Sequence, residues 1–293
     1  MEGMSSEYSP STSDESTENR LKDPERKLAS FLQLDGKARK KERNRLALKY
    51  KPLAPLNEPL YIPAERIFIS MVGSSIMGLL NNDVAIAKCV KDFGAKFEKA
   101  RKKLEGFEVG FLPIGYSFEG NQNIILLKGK EKILLEKTSS GIQSIVPLMV
   151  VLESLWKKKE AEDGQFVVIE EPESNLYPNT QKSLTEYIVQ VVQESGSKLC
   201  ITTHSPYILT ALDNLVQAHN AYRAHPEKAA DIEAIIPKSQ WLDFDKVSCY
   251  FVDQGTCTST LNPELRTLGS SAIDDASIET GLVFDRLTDI QFA

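Results

Sequence analysis

One short stretch limits the fold more than any other: Phe166-Val167-Val168-Ile169, all apolar, followed at once by Glu170-Glu171-Pro172-Glu173. Four apolar residues without alternation predict a strand buried on both faces, the form that parallel sheets take when helices cover each side. The form recurs at Lys198–Thr202 and again at Lys246–Val252, with helical patterns at about 179–194 and 207–215 between them. Strands alternating with helices predict a parallel sheet in an α/β core.

Upstream of that core the pattern changes. Ile145, Leu148, Met149, Leu152 and Leu155 place one apolar face on a helix over 142–156, with Pro147 positioned to kink it. Apolar spacing over 65–106 predicts two helices broken near 78–82, and Phe107–Leu135 predicts two or three antiparallel strands turning at Glu119-Gly120-Asn121 and Lys128-Gly129-Lys130. The stretch 51–63, with four prolines, is excluded as a continuous helix or a central strand and reads as an extended lead-in. Residues 1–19 read as a mobile acidic tail. A run of the opposite sign follows: Lys37, Arg39, Lys40, Lys41, Arg43 and Arg45. The expected organisation is a tail and linker over 1–50 and one large domain over 51–293, divided into a helical and antiparallel subdomain at 59–137 and a core at 138–293. A last helix is expected near 272–287.

Composition excludes several classes. With 41% hydrophobic and 26% charged residues, the 293-residue chain has ordinary globular usage. No window approaches the roughly 18 apolar residues of a membrane helix, and the acidic start has no apolar signal core, so the expected compartment is the cytoplasm. Cys89, Cys200, Cys249 and Cys257 form no Cys-x-x-Cys pair, which predicts isolated buried thiols rather than a zinc site or disulfides. A net charge of -6 argues against a wholly basic nucleic-acid coat, although the basic run leaves a local one open.

The chemistry gathers at strand ends. Glu170 and Glu171 stand where open α/β sheets bind ligands, and strand alternation sends the two carboxylates to different sides. Thr203-His204-Ser205-Pro206 closes the next strand with hydroxyls and an imidazole. Ser139-Ser140-Gly141-Ile142-Gln143 opens a helix, where backbone N–H groups and the helix dipole favour an anion. Each has an ordinary alternative: a solvated loop, a structural histidine and an N-cap.

Their order is more specific than any one of them. Together they resemble the ATPase heads of the ABC superfamily, in the RecF-like and overcoming-lysogenization-defect branch of AAA-type ATPase core domains. Ser139–Gln143 is similar to the signature loop, Phe166–Glu171 to the Walker B strand, Glu173-Ser174-Asn175-Leu176 to the D-loop, and Thr203–Pro206 to the switch-histidine loop. Tyr61-Ile62-Pro63-Ala64-Glu65-Arg66 resembles the segment leading into that branch's helical subdomain. The resemblance runs from about 59 to 287.

It implies a P-loop-NTPase-like, mainly parallel sheet with flanking helices and a helical and antiparallel insertion. It also implies ATP and magnesium. Glu170 would sit in the magnesium shell, Glu171 would polarise the attacking water, and His204 would contact the terminal phosphate. Ser139, Ser140, Gly141 and Gln143 would bind nucleotide across a sandwich in a homodimer or hetero-oligomer, with Glu173, Ser174 and Asn175 as D-loop. Glu170 stands where Asp is commoner, and Tyr177 where this branch often has His. The larger departure is the phosphate cradle: no Gly-x-x-x-x-Gly-Lys-Ser/Thr occurs, and Gly73-Ser74-Ser75-Ile76-Met77-Gly78 is followed by Leu79-Leu80.

The domain is therefore expected to lack its first piece and the central strand that piece provides, between 198–202 and 246–252. Hydrolysis would then need a P-loop supplied in cis, if the sequence is a fragment, or in trans by a separate chain, if the ATPase is split. The rival reading is a non-catalytic interaction module on a degenerate ATPase fold, touching nucleic acid through the basic run. A metal-dependent nuclease is disfavoured because Asp274, Asp275 and Asp285 are too scattered to form its acidic cluster.

Overall fold

A computed structural model describes residues 59–72, 85–104, 106–129, 131–157, 164–269 and 271–292. The acidic tail, the basic run and Gly73–Gly78 lie outside them. Strand β1 (Leu60–Ile62) leads through a 3-10 turn (Ala64–Arg66) into helix α1 (Ile67–Val72), and α2 (Lys88–Arg101) follows. Strands β2 (Phe107–Glu108), β3 (Ile114–Glu119), β4 (Gln122–Leu127) and β5 (Lys132–Leu134) come next, then helix α3 (Ser140–Trp156). The chain continues through β6 (Phe166–Glu170), α4 (Pro178–Glu194), β7 (Lys198–Thr202), α5 (Pro206–Ala224) and α6 (Ala229–Glu233). It ends with β8 (Tyr250–Asp253), β9 (Thr256–Ser259) and α7 (Ser271–Gln291).

The result is a mixed α/β fold with separate parallel and antiparallel sheets among the described residues. The parallel sheet has the order β1-β6-β7, and β2-β3-β4-β5 form a separate antiparallel sheet. The proline-rich lead-in thus ends in a real strand. Leu60–Ile62 pairs with Val167–Ile169 from the sheet edge, where flanking prolines are tolerated.

Two expectations about the parallel strands need correction. Strand β6 is buried on one face only: Val167 and Ile169 are fully enclosed, whereas Phe166 and Val168 are half-buried. Pairing puts Tyr61, Val168 and Cys200 in one row, and none of the three is buried. The stretch 246–252 does not join the sheet either. Tyr250–Asp253 pairs antiparallel with Thr256–Ser259 across Gln254-Gly255, both at positive φ (44° and 78°). Two positive φ values at the centre define a two-residue hairpin turn, so the chain reverses there instead of crossing over. Gly120 and Asn121 repeat the device between β3 and β4, with φ of 53° and 66°. The thiols also differ from expectation: all four are free, but Cys200 and Cys257 are exposed, on the open face of β7 and on the hairpin.

Helix α3 is the centre of the core. Its residues from Gln143 to Glu153 are all buried, and it packs against α1, α2 and α4. Burying one large aliphatic side chain contributes about 1.5–3 kcal/mol, so the buried apolar residues of this helix and of β6 are a substantial part of what stabilises the fold. Pro147 sits within it without breaking it. A proline there has no N–H to offer the carbonyl four residues back, that of Gln143. The Ser70 hydroxyl, buried on α1, donates to that carbonyl at 2.6 Å. Ser70→Ala is therefore expected to cost about 1–3 kcal/mol, because it strands a buried acceptor. A lower urea midpoint at unchanged slope would register it.

Candidate functional site

The site forms where β6 and β7 end side by side. Glu170 pairs with Thr202 at the last rung, and the Glu171 N–H donates to the Thr202 carbonyl at 2.8 Å. The chain then turns sharply, with Glu171 at φ 40° and Asn175 at φ 65°. That left-handed region is uncommon for a residue with a side chain and persists where surrounding bonds hold it.

Those bonds come from Arg66. Its side chain is fully buried, and its guanidinium meets five main-chain carbonyls. Nε donates to Ser144 O at 3.1 Å, Nη1 to Pro63 O at 3.3 Å and Glu170 O at 2.9 Å, and Nη2 to Glu171 O and Pro172 O, each at 3.0 Å. Burial pulls its pKa down to about 10 against the opposing influence of the Glu173 and Glu171 carboxylates, so it stays charged at neutral pH. In the sequence Arg66 closes the Tyr61–Arg66 segment, where nothing local marks its role.

The two adjacent carboxylates diverge, as alternation requires. Glu170 turns toward β1: Oε2 accepts from Ala64 N at 3.4 Å, and the Tyr61 hydroxyl bonds to the same carboxylate, which raises the phenol's pKa. Glu171 turns toward the next loop, with Oε1 3.8 Å from Nε2 of His204 and Oε2 accepting from the Ser174 hydroxyl at 3.3 Å. The His204 side chain is 90% exposed and that of Glu171 42%, so both are open to a ligand.

Glu173 joins the two loops. Its Oε1 accepts from the Thr203 hydroxyl at 2.7 Å and the His204 N–H at 2.8 Å. Ser205 caps α5, its hydroxyl accepting from Tyr207 N and donating to Gln181 Oε1 at 2.6 Å; Gln181 in turn donates to Leu176 O at 2.9 Å. The turn at 171–176 and the loop at 203–205 are thus fixed to each other. Tyr177 points away, 83% exposed.

The third element meets this network through a glycine. A Cβ on Gly141 would lie 2.9 Å from the Asn175 carbonyl oxygen, so only glycine permits this approach of α3 to the 171–176 turn. Ser139 and Ser140 are exposed at the helix start, and the Ser139 hydroxyl makes no cap bond. Gln143 is buried, its amide donating to Glu136 O at 3.1 Å and Thr138 O at 2.8 Å, where it braces the loop.

As a cation site this is sparse. No group of three or more His, Cys, Asp or Glu side chains gathers among the described residues. No helix among the described residues is long and apolar enough to cross a membrane.

A protein-family model described as an AAA ATPase domain matches residues 7–209, a span that includes Ser139–Gln143, Glu170–Asn175 and His204. No curated protein and no solved structure gives a significant match.

Proposed function

Since the chain belongs to the AAA ATPase domain family, matched over residues 7–209, we propose that it is an ATP-hydrolysing head of ABC type, in the RecF-like and overcoming-lysogenization-defect branch. The reading rests chiefly on one observation: Glu171 and His204 face each other at 3.8 Å across the ends of two adjacent parallel strands, both open to a ligand.

In this reading Glu171 is the general base. It polarises a water for attack on the terminal phosphorus, takes up its proton, and the bond to the bridging oxygen breaks to give ADP and phosphate. His204 donates to an oxygen of that terminal phosphate, where charge builds up. Glu170 would hold magnesium, which would supply neutralising charge to the phosphates. Ser139, Ser140 and Gly141 present hydroxyls and helix-start N–H groups to the nucleotide of an opposing protomer, with Gln143 keeping their loop in shape. Glu173, Ser174 and Asn175 line the junction between the protomers.

The phosphate cradle is supplied from outside these 293 residues, in cis or by a separate chain. In support, β7 pairs only with β6 among the described residues, and Cys200 lies exposed on it. Tyr250, Phe251 and Val252 of the hairpin are exposed as well. Among the described residues the sheet thus has an unpaired edge at β7 and a half-covered face, as an incomplete sheet would.

The test is titration of the full chain with Mg-ATP, alone and with the product of the reading frame upstream of Met1, provided that product carries Gly-x-x-x-x-Gly-Lys-Ser/Thr. Magnesium-dependent binding and turnover are expected only in the mixture. ATP-independent, salt-sensitive nucleic-acid binding in place of both would favour an interaction module instead. Cys200 supplies a second measurement. Thiol alkylation is expected to be rapid in the free chain and at least about 10-fold slower in the mixture, as a newly paired strand excludes reagent. Cys257 reports on the hairpin in the same experiment.

A further inference from the structure

We infer that Arg66 is a positioning residue that sets the two halves of the site against each other: the Glu170-Glu171 strand end and the helix that begins at Ser140. The inference rests on the ATPase reading for its consequence, but on geometry for its content.

A guanidinium carries five N–H donors in a fixed plane. Here five main-chain carbonyls receive them: Pro63 of its own turn, Ser144 of α3, and Glu170, Glu171 and Pro172 in succession. A buried arginine needed only for charge balance would face a carboxylate, yet no carboxylate oxygen lies within ion-pair distance of Arg66 among the described residues. Its donors go instead to backbone.

The backbone it holds is the strained part. Glu171 is left-handed at φ 40°, and its carbonyl takes both Arg66 Nη2 and the Ser174 N–H, each at 3.0 Å. With the backbone of residues 170–172 fixed, the direction in which the Glu171 side chain leaves it is fixed too, toward His204. The bond to Ser144 O ties the same guanidinium to α3, one turn below Gly141. The Ser70 hydroxyl on Gln143 O reinforces that tie from the neighbouring helix. Lysine retains the charge but has three donors on a single nitrogen, so it cannot span Ser144 O and the carbonyls of 170–172 together.

The test uses the full chain. In the wild type the Arg66 Nε–H should give a protected NMR signal, slow to exchange with solvent; rapid exchange overturns the inference without any variant being made. In Arg66→Lys, amide exchange at Glu171, Ser174 and Leu176 should rise by at least about 10-fold, while Ile188–Val192 in the middle of α4 stays protected. Unchanged exchange at 171–176, or an equal rise in α4, overturns it.

With the P-loop chain present, Arg66→Lys should lower kcat by ~10²-fold at nearly unchanged nucleotide Kd, as expected for a misplaced base. Leu148→Ala, which destabilises the core away from the site, should keep its kcat; a similar loss there overturns the positioning role. Absence of turnover in the wild-type mixture would count against the ATPase reading, and the exchange experiment would still decide the role of Arg66.

Discussion

Glu171→Gln is expected to lower ATP turnover in the assembled protein by ~10²–10⁴-fold, the usual worth of a positioned general base. The substitution keeps the size of the side chain and a carbonyl oxygen that can still accept from the Ser174 hydroxyl, the partner of Glu171 Oε2 at 3.3 Å. The backbone bonds from Arg66 Nη2 and to Thr202 O do not involve the side chain and survive. What disappears is the charge, and with it the ability to take a proton from water. Nucleotide affinity should therefore stay within about 3-fold, since a change in the transition state alone leaves ground-state binding intact. Single-turnover hydrolysis alongside equilibrium ATP binding checks both halves. Normal turnover in Glu171→Gln would mean that another group is the base.

Gly141→Val should have an effect of similar size for a different reason. The first atom beyond the backbone would lie 2.9 Å from the Asn175 carbonyl oxygen, and a main-chain atom in a left-handed turn cannot step aside as a flexible side chain would. Either α3 backs away or the 171–176 turn shifts, and overpacking of this kind costs about 1–3 kcal/mol. A displacement of about 1 Å at reacting groups can reduce rate by 10²-fold. The variant is expected to stay folded, with a modestly lower Tm, and to lose turnover by roughly that factor. Retained turnover would separate Gly141 from the chemistry.

Much of this arrangement was legible in the sequence because the signals were local. The apolar run at 166–169, Ser-Pro before α5 and the helical spacing on α3 each carry their own periodicity or cap, and the structure follows them. Long-range facts were not legible. Whether Val168 is covered depends on what packs over the second face of the sheet, and no residue near Val168 records that. The hairpin at 250–259 resembles a core strand because Tyr250-Phe251-Val252 is apolar enough for one; Gln254-Gly255 is the local turn signal against it. At the site, the strand ends could be placed by alternation. Arg66 could not, because 104 residues separate it from Glu170 and its partners are backbone carbonyls, which every residue has.

The central claim, that a complete site needs Glu171 from one protomer and the Gly141 loop from another, is tested most directly by mixing two inactive variants. Glu171→Gln and Ser140→Glu chains, the second setting an acid against the opposing nucleotide at an exposed position of the Gly141 loop, each assembled with the P-loop chain and then allowed to exchange subunits, should form mixed dimers that place both lesions in one site and leave the other intact. Random pairing gives mixed dimers half the time with one good site in two, so about a quarter of wild-type turnover should return. If both residues served a site within one chain, no mixture would contain an intact site; turnover no higher than that of the separate variants would contradict the account.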